Sequence, residues 1–103
     1  MHPANTPRPP YYAVIFTSVR TEGDNGYAEA AEQMLALAST QTGFLGFESA
    51  RQEIGISVSY WENLEAITAW KEHYSHRQAQ ANAKVWYDSF RVRICKVERE
   101  YGF

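Results

Sequence analysis

A two-layer α+β domain, with helices on one face of a four-stranded antiparallel sheet, is predicted by three observations. Two apolar runs at strand period are joined by a turn too short for anything but a hairpin. A further β-branched and aromatic run lies at each end of the chain. Between these runs and the hairpin, the apolar residues switch to helical spacing.

The first strand is Tyr11 to Arg20, with apolar residues in both registers: Tyr12, Val14 and Phe16 against Ala13, Ile15 and Val19. A strand apolar on both faces is covered on both. Gly23 to Gly26 makes a turn. From Tyr27, the series Tyr27, Ala30, Ala31, Met34, Leu35 and Ala38 describes an amphipathic helix with Glu29, Glu32 and Gln33 outside.

Gly43 stops that helix, and Phe44 to Arg51 reads as the second strand. After a turn at Gln52 to Gly55, Ile56, Val58 and Tyr60 alternate with Ser57, Ser59 and Trp61 in the third. Asn63 caps the next helix, Glu65 suits its first turn, and Leu64, Ile67, Trp70 and Tyr74 form its buried stripe. Ser75 and Gln78 match a capping box, so a second helical segment is expected near His76, carrying Ala79, Ala83 and Trp86. Ser89 to Tyr101 is the last strand, with Phe90, Val92 and Ile94 on one side and Arg91, Arg93, Cys95 and Val97 on the other.

This order, β-α-β-β-α-β, is the split βαβ or ferredoxin-like plan. The sheet face away from the helices is too apolar to meet water everywhere, so a homodimer through the sheet face is expected. All four prolines lie in the first ten residues. Residues 1–10 are therefore expected to form an extended, mobile tail, and 11–103 a single domain.

With Lys and Arg (10) nearly matching Asp and Glu (12), the net charge is -2. No basic patch points to nucleic acid or a membrane surface. Aromatics make up 15% of the chain, a surplus that favours an apolar pocket for a small aromatic or hydrophobic molecule. The single cysteine, Cys95, excludes an internal disulfide and reads as an inert buried thiol. Neither a transmembrane run nor a signal-type hydrophobic start is evident, so a cytoplasmic location is expected.

The densest chemistry is Tyr60-Trp61-Glu62-Asn63-Leu64-Glu65-Ala66-Ile67-Thr68-Ala69-Trp70-Lys71-Glu72-His73, followed by His76. This stretch, with Thr40 to Gly46 before it and His76 to Gln80 after it, resembles the antibiotic biosynthesis monooxygenase family of the dimeric α+β barrel superfamily. The likeness implies the ferredoxin-like plan and a dimer. It also implies a cofactor-free oxygenase that binds an electron-rich phenol between helices and sheet, assists its deprotonation and lets the carbanion meet O2.

A haem-degrading branch of the family uses an Asn on the first strand, a Trp on the second helix and a His ten residues later. Trp70 matches, but position 80 is Gln80 and the first strand has no Asn. Haem is thus the lesser alternative, and a non-catalytic dimer that binds a small ligand or serves a stress response is another.

On the oxygenase reading, His76 and Trp70 are the catalytic candidates, with Phe16, Tyr60, His73 and Trp86 lining the substrate site. His76 has the right pKa range for a base. It serves equally as a capping residue at a helix start, and Trp70 equally as packing between helix and sheet. His73 suits a helix end, where its positive form meets the dipole. His73 and His76 lack a third ligand, so no metal is expected. Arg91 and Arg93 are read as partners of Glu48, Glu98 or Glu100, rather than as a grip on an anionic substrate.

Overall fold

The computed structural model describes residues 2–103, with Tyr74 and Ser75 through their backbone alone. Its elements run β1 (Tyr11–Arg20), α1 (Tyr27–Ala38), β2 (Phe44–Arg51), β3 (Gly55–Trp61), α2 (Leu64–Glu72), α3 (Tyr74–Ala81), α4 (Ala83–Trp86) and β4 (Tyr87–Val97). The strands order as β2-β3-β1-β4, all antiparallel, which is the ferredoxin-like arrangement.

Cross-strand pairing fixes which residues share a face, because directly paired residues point the same way. One face carries the rows Phe44–Trp61–Tyr12–Lys96, Phe47–Ser59–Val14–Ile94, Ser49–Ser57–Phe16–Val92 and Arg51–Gly55–Ser18–Phe90. This face meets the helices, since Trp61 packs with Ala38 of α1 and Ile67 of α2. The outer face presents Tyr11, Ala13, Ile15, Val58, Tyr60 and Cys95.

Local chemistry sets the helix starts. Asp24 accepts from the amides of Gly26 (3.0 Å) and Ala28 (3.2 Å), leading the chain into α1. Asn63 Oδ1 accepts from the Ala66 amide at 2.8 Å, satisfying an orphan donor of α2. Gly43 lies between them at φ 87°, and a Cβ there would fall 2.6 Å from Ala66 Cβ. Only glycine permits both that backbone and the close approach of the turn to α2.

Several boundaries and orientations differ from expectation. The last strand is Tyr87–Val97, not Ser89 to Tyr101. Val97 pairs with Tyr11, the first residue of β1, so Glu98 to Tyr101 have no β1 strand to continue against. At the other end, a bulge at Val19/Arg20 lets Arg20 reach Tyr87 and lengthens the ladder. The late helix breaks at Asn82, whose amide is shared between the carbonyls of Gln78 and Ala79 (both 3.2 Å).

Ala31 and Leu35 of α1 are exposed, as is Leu64 at 48%, so the buried stripes are narrower than their spacing suggests. The Tyr74 position in that stripe and the Ser75 cap lie outside the described residues. Cys95 is exposed instead of buried, because β4 is an edge strand.

The proline-rich tail, expected to be mobile, is tethered to the outer face. The Ala4 amide donates to Glu48 Oε2 at 2.9 Å, and Ala4 sits over Gly46. The hydroxyls of Thr6 and Tyr11 converge on Glu100 Oε1 at 3.0 and 2.8 Å. Glu48 and Glu100 are thus engaged by hydroxyl and amide donors, not by Arg91 and Arg93, which are exposed.

Gly43→Ala is expected to cost about 2–4 kcal/mol, combining left-handed strain with overpacking against Ala66. Urea denaturation checks this; a loss under about 0.5 kcal/mol would mean the turn relaxes freely.

Candidate functional site

Trp61 ends β3 fully buried, with 0% of its surface exposed. Its indole N–H donates to Ser59 Oγ at 2.9 Å, which satisfies the polar atom and fixes the ring. Phe44 meets it edge-on at 5.4 Å. The Trp70 ring of α2 stacks on Trp61 at 6.2 Å, and the His76 ring of α3 stacks on Trp70 at 4.9 Å with planes 12° apart. These three rings form a column from the sheet outward. His73, at the C-cap of α2, places its ring 5.5 Å from Trp70.

His76 is held by more than stacking. Its Nδ1 lies 3.1 Å from the Trp70 carbonyl oxygen. A carbonyl only accepts, so the hydrogen bond assigns the proton to Nδ1 and leaves the Nε2 lone pair available. Burial pushes the His76 pKa below the ordinary imidazole value. The Trp70 carbonyl opposes this, and the positive ends of His73 and Lys71 reinforce it. The ring is therefore neutral at neutral pH, with a basic nitrogen.

A second cluster stands at the opposite end of the same sheet face. Phe16 packs against Tyr87 (5.2 Å) and stacks on Phe90 (5.5 Å). Tyr87 meets Tyr27 at 5.6 Å, and Tyr27 meets Trp86 at 6.0 Å. Burial, then the neighbouring Tyr27 hydroxyl, raises the Tyr87 pKa, keeping it a neutral donor. Arg51 reaches across Gly55 to bond the hydroxyl and carbonyl oxygens of Ser18. Gly55 accommodates this because any Cβ would collide with the guanidinium.

The six expected site residues thus fall into three places. Trp70, His73 and His76 come together. Phe16 joins the second cluster at the far end of the helix-side face, and Trp86 borders it through Tyr27. Tyr60 stands on the outer face, donating to Glu48 Oε1 at 2.5 Å and meeting Tyr11 edge-on at 5.8 Å. Burial and the Glu48 carboxylate raise its pKa, while the same bond lowers that of Glu48. Sequence reasoning missed Arg51, Ser18, Tyr87 and Tyr27 as a group. They lie on four separate segments, and only the sheet register reveals their proximity.

Two open surface depressions, at Gln52–Ile54 and along Leu64, Thr68 and Glu72 of α2, touch neither cluster. Among the described residues, no three His, Cys, Asp or Glu side chains gather as a metal site, and no helix is long and apolar enough to cross a membrane.

The profile of the antibiotic biosynthesis monooxygenase family matches residues 10–82, most of the chain. The chain belongs to that family. It is also 51% identical to the uncharacterised protein YqjZ of Bacillus subtilis (strain 168), over 97% of this chain and 90% of the relative. Among solved structures it resembles SnoaB, a cofactor-independent oxygenase from Streptomyces nogalater. That match has a TM-score of 0.77 at 7% identity, covering 89% of this chain and 97% of that one. A conserved protein from Methanosarcina mazei Go1 matches with a TM-score of 0.73 at 7% identity, covering 88% and 94% of the two chains. At such identities these likenesses show a common fold.

His76 also makes a stability test. Its folded pKa lies below its unfolded one, so its contribution is present above the usual imidazole value of about 6.5 and is lost as pH falls toward the folded value. Acidifying from about pH 7.5 to about pH 5.5 should lower stability by no more than about 1.4 kcal/mol per pH unit from this group. His76→Gln should flatten that slope in paired urea titrations.

Proposed function

We propose that the chain is a small cofactor-independent monooxygenase, oxidising an electron-rich phenolic aromatic with O2 in the space between helices and sheet. The observation that carries this reading is the His76 Nε2 lone pair, held neutral and stacked against Trp70. Membership of the family and the fold shared with SnoaB, itself a cofactor-independent oxygenase, support it.

The chemistry needs little from the protein. A base removes a proton from the phenol, giving an enolate whose carbanion form attacks O2 to make a carbon-bound peroxide. Loss of water from that peroxide leaves the carbonyl of a quinone. One substrate CH2 and one O2 give one C=O and one water, so no external reductant enters. His76 Nε2 takes the first proton, and Trp70, stacked between Trp61 and His76, holds the imidazole in place beside the substrate. Burial among rings strengthens every hydrogen bond to the developing enolate. Phe16 supports the flat substrate from the sheet, and Trp86 borders the far end. Haem and metal play no part in this scheme.

Family members typically work as dimers, and we assign a second copy of the chain to the outer sheet face. Ile56 is 48% exposed there, on the same face as Val58 and the exposed Cys95. Ile56→Glu should shift sedimentation toward the monomer; an unchanged dimer would place the contact elsewhere.

The enzymatic reading is tested with anthrone under air, following anthraquinone by absorbance. Turnover should fall about 10²-fold in His76→Ala, the usual contribution of a general base. In the wild type, kcat/KM should rise with pH through a lowered imidazole pKa and be level by neutrality. Anthrone bound without turnover would instead mark a carrier of small aromatics, and turnover untouched by His76→Ala would remove that residue from the mechanism.

A further inference from the structure

The family profile begins at residue 10, so the proline-rich tail lies outside it. The tail is nonetheless built onto the outer sheet face. Ala4, Thr6 and Pro9 are half-buried, while Asn5, Pro7 and Arg8 are exposed, so one side of the segment is laid against the sheet. Gly46 of β2 makes room for it, since a Cβ on residue 46 would fall 3.2 Å from that of Ala4. A glycine inside a strand marks such a close approach of another segment.

Two acids hold the tail, one from an edge strand and one from the segment that follows the other edge strand. Glu48 of β2 accepts the Ala4 amide at 2.9 Å, and Glu100 accepts the Thr6 hydroxyl at 3.0 Å. Each acid also accepts from a tyrosine of the outer face, Glu48 from Tyr60 at 2.5 Å and Glu100 from Tyr11 at 2.8 Å. The Tyr60 bond outweighs the Ala4 amide in lowering the Glu48 pKa. Lifting the tail therefore leaves neither carboxylate without a donor, and the freed amide and hydroxyl go to water. The fastening is specific, yet built to open.

Its position gives it a competitor. The helices pack on the opposite face, yet Tyr11 and Ala13 at the tail end of the outer face are only 4% and 5% exposed. Ile56, toward the other end, is 48% exposed. Four strands about 4.8 Å apart, with residues rising about 3.3 Å, outline a face of roughly 20 by 20 Å. A stable pairing of copies takes about 800 Å² from each partner, more than half of such a face can give.

We infer that the tail is an autoinhibitory strap, which competes with a second copy of the chain for the Tyr11 and Tyr60 end of the outer face. The inference rests on the assignment of that face to the second copy. With the strap closed, the surface around Ile56 and Val58 alone supports a weak encounter. With it lifted, the whole face pairs.

Sedimentation equilibrium tests this on the full chain. Ala4→Pro removes the amide donor and Thr6→Val the hydroxyl donor, and neither touches the sheet. The double variant should dimerise at least ten-fold more tightly than wild type, the weight of one hydrogen bond to a charged group. A disulfide between Ala4→Cys and Gly46→Cys, in a Cys95→Ser background, should lock the strap. That variant should dimerise at least ten-fold more weakly when oxidised than when reduced. A double variant that pairs no more tightly than wild type, or a lock without effect, would overturn the proposal. Weaker pairing of the double variant would mark the tail as part of the interface instead. If Ile56→Glu leaves the dimer unchanged, the outer-face assignment fails and the strap falls with it. If Ile56→Glu breaks the dimer while releasing the strap does not tighten it, only the strap fails.

Discussion

The fold and the candidate site both hang on the seating of Trp61. It is the largest fully buried side chain, and its indole N–H is satisfied within the same strand by Ser59. Because that bond lies within one strand, the indole N–H is satisfied without a partner from either helix. Phe44 then meets its edge, Ala38 and Ile67 close over it, and Trp70 lies along its face. Truncating a buried tryptophan costs about 3–5 kcal/mol, a large part of what a domain of this size has to spare. Here the loss would also release Trp70 and, through it, His76.

This linkage explains why chemistry and packing are not alternatives at Trp70. One side of its ring contributes to the core and the other supports His76, so the indole transmits the position of the sheet to the imidazole. The Trp70 carbonyl adds a second restraint by fixing the tautomer. An imidazole positioned by stacking and by one backbone bond is oriented without a carboxylate partner. That leaves it less basic than a carboxylate-paired histidine.

Much of the fold was legible because it rests on periodicity. The runs at Tyr11, Phe44 and Ile56, the helix from Tyr27 and the Asn63 cap all arise from local signals, and the structure reproduces them to within a residue. What was illegible depends on partners distant in sequence. The end of β4 is decided by where β1 begins, and the exposure of Leu35, Leu64 and Cys95 by which neighbours happen to cover them. The site divided in the same way. Trp70, His73 and His76 are close in sequence and lie together in the structure, whereas Tyr60 points to the outer face because strand alternation separates it from Trp61. Arg51 and Ser18 meet only through Gly55, and a guanidinium lying across a missing Cβ leaves no trace in a one-dimensional pattern.

The serines of β3 have a consequence for how such a protein diversifies. Ser57 and Ser59 point into the helix-side layer, while the hydrogen bonds that hold β3 between β2 and β1 run through the backbone. A change of side-chain volume at Ser57 would redraw the floor without touching the ladder, the Trp61 anchor or the His76 tautomer. The volume facing the helices is thereby set at a position of β3 apart from the Trp61 anchor. Single substitutions there can reshape that layer while the column of Trp61, Trp70 and His76 stays in place.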